Sequence, residues 1–137
     1  MKRNDILYSE IRPANKRYAF INFEASEYVV STKLMVLRSK GIIEPIYIFF
    51  LLTRPSVLTN LQKIAEGRSG TFPQITFTEL KEVTVFVPKE ATHPFLKLVK
   101  NAYDQIFQNE IENRQLIKTR DMLLPKLISG EIPINVE

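Results

Sequence analysis

The chain has no cysteine, a single histidine and only four glycines among its 137 residues, and each scarcity removes a class of function. Without cysteine there is neither a disulfide framework nor a thiolate metal site, which suits a reducing, cytoplasmic setting. The lone His93 cannot build a His/Cys metal centre. It stands beside Pro94 at the expected start of a long helix, where a capping or solvent-facing role fits better than catalysis, so the serines lack a base for a triad. Gly67 and Gly70 lie three apart with no Gly-Lys-Ser/Thr after them, and no phosphate cradle results. No two carboxylates sit at a spacing that suggests a shared site, and Glu110 and Glu112 point to different helix faces. Met1-Lys2-Arg3-Asn4-Asp5 lacks the apolar stretch of a signal peptide, and no segment approaches the roughly 20 apolar residues of a spanning helix. The nearest, Ile42 to Leu52, is interrupted by Glu44 and Pro45 and reads as buried core. A small stand-alone enzyme is therefore the least supported class: no catalytic residue, metal or cofactor is nominated, and no membrane is expected.

What remains is ordinary globular composition, 45% hydrophobic and 25% charged, in a chain long enough for one core and too short for a second. The net charge of +4 is unevenly placed. Residues 1–91 carry 13 Lys or Arg against 9 Asp or Glu, whereas residues 92–137 carry 6 of each. Such a split fits a basic front that meets phosphate and a neutral tail that meets protein, although a solvated surface with a mild excess of cations accounts for it equally well.

Patterning predicts an α+β chain with a small mixed sheet. Ile6 to Tyr8 and Tyr18 to Ile21 are β-favouring runs separated by a polar loop containing Pro13 and Asn15. Tyr28 to Val30 and Leu34 to Leu37 read as two more strands, or as one strand broken by a bulge near Ser31-Thr32. From Pro45 the apolar spacing turns helical, and a second helix begins near Pro55 and stops at Gly67. Arg68 to Gln74 is dense in turn formers. Thr78 is expected to cap one turn through Leu80, with Glu82 too far along for a capping box, and Val83 to Val87 alternates as a strand that Pro88 ends.

Residues 92–128 form the longest regular segment. A seam at alternating four- and three-residue steps runs through Phe95, Val99, Ala102, Ile106, Asn109, Asn113, Leu116, Arg120, Leu123 and Leu127, apolar except for Asn109, Asn113 and Arg120. Polar residues in mid-seam cost stability while fixing register and partner. Pro125 should bend or end the last turn, and Gly130 follows as a stop. A helix of this length reaches about 55 Å at 1.5 Å per residue, more than a 90-residue globule about 25 Å across can cover. Part of the seam must find a partner.

Two loops offer nucleic-acid chemistry. Arg12, Asn15, Lys16 and Arg17 lie within six residues, and Pro13 limits their freedom; Arg and Lys reach phosphate or the guanine edge, and Asn pairs with adenine. Arg68, Ser69, Thr71 and Gln74 lie on a backbone that Gly70 allows to approach another surface closely. On residue types alone, a solvated turn is the default for each loop.

Three stretches together resemble the DNA-specificity (S) subunits of type I restriction-modification systems. Asn4-Asp5-Ile6-Leu7-Tyr8-Ser9-Glu10-Ile11-Arg12-Pro13 is similar to the Gly-Asp-Ile-Leu strand of a target recognition domain, with Asn4 where the family usually has Gly. Ser69-Gly70-Thr71-Phe72-Pro73-Gln74-Ile75 with Leu80 and Val83 to Pro88 resembles the segment that closes such a domain. The tail Arg120-Asp121-Met122-Leu123-Leu124-Pro125-Lys126-Leu127-Ile128-Ser129-Gly130-Glu131-Ile132 resembles the end of the family's conserved helix. The resemblance implies a non-catalytic module: a recognition domain over residues 1–91, its opening elements missing, that contacts double-stranded DNA through the two loops. It also implies a helix over residues 92–137 that docks the methyltransferase (M) subunit, and through it the restriction (R) subunit, and that pairs with a second copy as a homodimer. S-adenosylmethionine, ATP and magnesium then belong to the partner subunits. The rival expectation is an interaction module that assembles through its helix without reading sequence.

Overall fold

Every residue of Ile6–Ser9 is buried, because this strand, β1, is the centre of a three-stranded sheet ordered β2-β1-β3. The flanking strands are β2 (Tyr18–Phe20) and β3 (Leu34–Leu37), and both run antiparallel to β1. Leu7 pairs with Ala19 on one side and Val36 on the other, while Tyr8 pairs with Tyr18 and Met35. The computed structural model describes residues 1–41, 43–84, 86 and 94–133. The chain divides into two units, Met1–Lys97 and Leu98–Glu137.

In the first unit the sheet is covered on both faces, which explains why β1 reads as a continuous apolar run rather than an alternating one. One face meets helices α1 (Pro45–Leu52) and α2 (Pro55–Arg68), each opened by a proline at its first turn, where the missing N–H is no loss. There Tyr8, Leu52, Leu58, Leu61, Ala65, Ile75 and Leu80 form one buried cluster, against which Tyr18, Met35 and Leu37 pack from the neighbouring strands. The Tyr8 hydroxyl donates to the Leu52 carbonyl at 3.2 Å, so the ring is buried without stranding its polar end. Burying each large aliphatic side chain contributes about 1.5–3 kcal/mol.

The other face is covered by the loop between β2 and β3. Leu7, Ile21 and Ala25 are buried there, with Phe23, Val30 and Leu34 packed against them. Tyr28 to Val30 is thus no strand. Val29 is 95% exposed, Tyr28 packs edge-on to Phe23 at 5.5 Å, and only Val30 of the β-favouring triad packs on the cluster around Leu7, so the triad joins no ladder.

The short helix α3 (Phe77–Lys81) is capped by Thr76 rather than Thr78. Thr76 Oγ1 accepts the Thr78 N–H at 3.3 Å, and the Glu79 carboxylate accepts the Thr76 N–H at 2.6 Å, which completes a capping box. Glu79 also accepts the Thr76 hydroxyl at 2.6 Å, and this bond first, with that of the Thr76 N–H, holds its carboxyl below the ordinary range. Of the strand expected over Val83 to Val87, the described residues Val83, Thr84 and Phe86 form no strand, and Val85 and Val87 lie outside the described residues, as do Ile42 and His93.

The second unit is carried by the long helix α4 (Pro94–Ile128), whose first turn belongs to the first unit. It does not end at Pro125, which lies inside it. Proline removes one N–H, and with a single turn left the helix loses a single bond there. The stop comes at Gly130, where φ is 75°, a left-handed conformation that glycine adopts without strain.

Candidate nucleic-acid interface

Between β1 and β2 the chain turns through Arg12 and Lys16, both in the left-handed region with φ of 45° and 54°. Each such residue costs about 1–2 kcal/mol when it is not glycine. Between them Pro13–Asn15 forms one 3-10 turn, in which Asn15 N–H donates to the Arg12 carbonyl at 2.8 Å and Lys16 N–H to the Pro13 carbonyl at 3.0 Å. Pro13 is buried, whereas Arg12, Asn15, Lys16 and Arg17 are exposed. The turn points its ring inward and its polar side chains out. Among the described residues, the side chains of Asn15, Lys16 and Arg17 make no hydrogen bond or ion pair.

The second loop, Arg68 to Gln74, lies directly against the first. Ile11 and Gln74 form an isolated antiparallel bridge, Arg12 N–H donates to the Pro73 carbonyl at 3.1 Å, and Ile75 N–H donates to the Glu10 carbonyl at 2.9 Å. The Arg12 guanidinium reaches the Thr71 carbonyl at 3.5 Å. Two loops read separately from the sequence therefore form one basic ridge.

Within that ridge the side chains divide. Arg68 is ion-paired with Glu79, which ties it to the cap of α3, and Ser69 Oγ accepts the Phe72 N–H at 3.1 Å. Both hold the loop's own shape. Gln74 is half-buried at the bridge, Gly70 and Thr71 are exposed, and a Cβ at Gly70 would meet nothing within 4 Å. Close approach of the Gly70 backbone to another part of this unit is not what glycine provides there.

Two residues of this region escape sequence reasoning. Phe72 stands 51% exposed at the tip of the second loop, where its setting among turn formers was the only signal. Gln62 on α2 accepts the Ala14 N–H through Oε1 at 3.1 Å, a contact that no local pattern announces.

Deeper in the same unit, Asp5 is fully buried and takes two hydrogen bonds from Arg38, at 2.7 and 2.8 Å, and one from Lys2 N–H at 2.7 Å. The Arg38 hydrogen bonds outweigh desolvation and hold its carboxyl below the usual carboxylate value of 3.8. Asn4 beside it has φ 71°, a left-handed position that asparagine tolerates better than most residues and glycine best. A glycine, usual at this place in the strand that the stretch resembles, would take the same conformation without strain.

On α4 the seam residues Phe95, Ile106, Leu116, Leu123 and Leu127 are exposed to between 36% and 61%; Ala102, Asn109 and Asn113 are exposed, and Val99 is half-exposed. Asn109 Oδ1 accepts a hydrogen bond from Gln105 at 2.9 Å on its own helix. A second apolar stripe, Ile117, Leu124 and Ile128, stands exposed one position on from Leu116, Leu123 and Leu127. At 100° per residue the two stripes cover an arc of roughly 140°, wider than a two-helix seam requires. Among the described residues no helix is long and apolar enough to cross a membrane, and no group of three or more His, Cys, Asp or Glu could hold a metal.

Comparison with known proteins converges on one family. The chain is 42% identical over 118 residues to the type I restriction enzyme HindI specificity subunit of Haemophilus influenzae, covering 85% of this chain and 26% of that protein. It is 26% identical over 118 residues to the type I restriction enzyme MjaIX specificity subunit of Methanocaldococcus jannaschii, with the same coverage, 85% and 26%. The chain thus spans about a quarter of the length of these curated relatives. No solved structure matches it. Residues 1–118 match the model of the type I restriction modification DNA specificity domain, and the chain belongs to that family.

Proposed function

We propose that the chain is a DNA-recognition module of a type I specificity subunit, acting in the cytoplasm, non-catalytic and without a cofactor of its own. Residues 1–91 contact double-stranded DNA through the ridge of Arg12, Asn15, Lys16, Arg17, Thr71 and Gln74. Residues 92–137 carry the helix that docks a methyltransferase subunit, and through it a restriction subunit, and that pairs with a second copy. The observation that carries this reading is the meeting of the two loops, which sets Thr71 and Gln74 beside the exposed Arg12, Asn15, Lys16 and Arg17, the side-chain types that phosphate positioning and base readout require. Binding then falls steeply with salt, with a slope near 0.9 per phosphate neutralised. Electrophoretic mobility across a salt series measures it, and an affinity indifferent to salt sinks the reading.

The exposed apolar arc of α4 favours a second reading, an interaction module that assembles through its helix without selecting a sequence. Sedimentation then finds a dimer or a complex with methyltransferase subunits, while selection from randomised duplexes returns no consensus. Replacing Asn109 and Asn113 by Leu separates the ways of assembling: a seam that pairs helices gives tighter and less discriminating oligomers. An unchanged monomer removes the homodimer from both readings.

A further inference from the structure

The turn that carries Arg12, Asn15 and Lys16 is held in an unfavourable backbone shape, and its tip is fastened from outside the loop. Two of its residues are left-handed without being glycine, and one of them, Arg12, also precedes a proline, which restricts it further. Pro13 is buried and Arg12 N–H is spent on the Pro73 carbonyl. The Ala14 N–H, at the crest, is taken by Gln62 Oε1 of α2 at 3.1 Å. The Gln62 amide is itself oriented, because its Nε2 donates to Glu66 Oε1 at 2.7 Å one helical turn later. Glu66, Gln62 and Ala14 therefore form a relay from the side of a regular helix to the crest of the recognition turn.

We infer that Gln62, oriented by Glu66, is a positioning residue that sets target choice by fixing the direction in which Asn15 and Lys16 leave the turn. This rests on the DNA reading above. Base edges discriminate only when the reading side chain is held within about half an ångström of its productive place, and a strained turn released at its crest moves its side chains by more than that. Phosphate contacts made by long, mobile cations tolerate the same shift. Loss of the relay thus weakens specific binding while leaving non-specific binding and its salt slope in place.

The relay makes an exchange test possible. Gln62→Leu removes both hydrogen bonds, and Gln62→Glu keeps an acceptor for Ala14 but sets two carboxylates against each other. The double variant Gln62→Glu with Glu66→Gln restores the pattern with amide and carboxylate exchanged. With the full chain and randomised duplex DNA as the probe, the expected result is a ratio of specific to non-specific affinity reduced about five- to tenfold in Gln62→Leu, which leaves the Ala14 N–H without its acceptor, and by less in Gln62→Glu, which keeps one. The exchanged pair recovers it. A structural role alone moves specific and non-specific binding together and leaves the ratio unchanged, which overturns the inference, as does a double variant no better than Gln62→Leu. Amide exchange at Ala14 reports on the relay without DNA: it is slow in the parent chain and accelerates in Gln62→Leu. Equal exchange in both removes the relay. A parent chain that binds no duplex removes the DNA reading and the role in target choice with it, whereas Ala14 exchange still rules on the relay.

Discussion

The two units dispose of similar apolar content in opposite ways. In the first, Ile6, Tyr8, Leu61 and Ile75 are almost wholly buried and both faces of a small sheet are covered. In the second, Leu116, Ile117, Met122, Leu123, Leu124 and Ile128 stand exposed along one helix. Leucine and isoleucine placed inside specify a fold, whereas the same residues left on a surface specify an association. Mean composition cannot separate the two, and the period of the pattern can.

The sharpest way to test this contrast is to truncate one leucine on each side of it. Leu61→Ala, with no exposed surface at the site, is expected to cost about 3 kcal/mol through lost burial and the cavity left behind. Leu124→Ala, 50% exposed, is expected to change unfolding stability by less than about 0.5 kcal/mol. Urea unfolding of both variants measures the difference, and equal losses would show that the helix face packs as a core.

Next in size is the buried ion pair. Asp5→Asn is expected to cost about 2 kcal/mol at neutral pH, since charged hydrogen bonds are lost while Arg38 stays partly solvated. Because the folded carboxyl titrates below 3.8, its contribution is complete above that value and is lost as pH falls through the lower folded value. Urea midpoints measured from pH 7 down to 2 should therefore fall more steeply at the acid end in the parent chain than in Asp5→Asn. Parallel curves would mean that the pair does not govern acid unfolding. No comparable group is described in the second unit, where the ion pairs, such as Lys100–Asp104 at 3.1 Å, lie at the surface and contribute little.

The smallest effect is the most informative about division of labour. Arg17→Ala is expected to lower the salt slope of DNA binding by about 1 with negligible change in unfolding, whereas Arg114→Ala on α4 should leave the slope as it was. A slope reduced equally by both would place phosphate contacts on the helix and dissolve the contrast.

Where periodicity decided the structure, the sequence was readable. The apolar run of β1, the prolines at the starts of α1 and α2 and the length of α4 all appear at or near the expected places. Tyr28 to Val30 has the composition of a strand without being one, because β-propensity describes fit to a half-buried surface, which Val30 finds on the Leu7 cluster without pairing in a ladder. The cap fell on Thr76 because Glu79, three residues on, closes the box that Thr78 could not. For the candidate site, composition pointed to both loops and could not show that they touch. Their contact rests on a backbone bridge between Ile11 and Gln74, far apart in the chain, and backbone pairing leaves no mark on residue type. Gln62 was invisible for the same reason, since the group it holds is the N–H that every residue but proline carries.

The buried ring of Pro13 has a consequence for how such a surface can change. The shape of the turn is held by that ring, by the Pro73 carbonyl and by the Gln62 amide at Ala14, and none of these atoms belongs to Asn15 or Arg17. Outward side chains can therefore be exchanged one at a time on a constant backbone, as type is changed in a fixed frame. A surface built this way can change its outward side chains by single substitutions without having to fold anew.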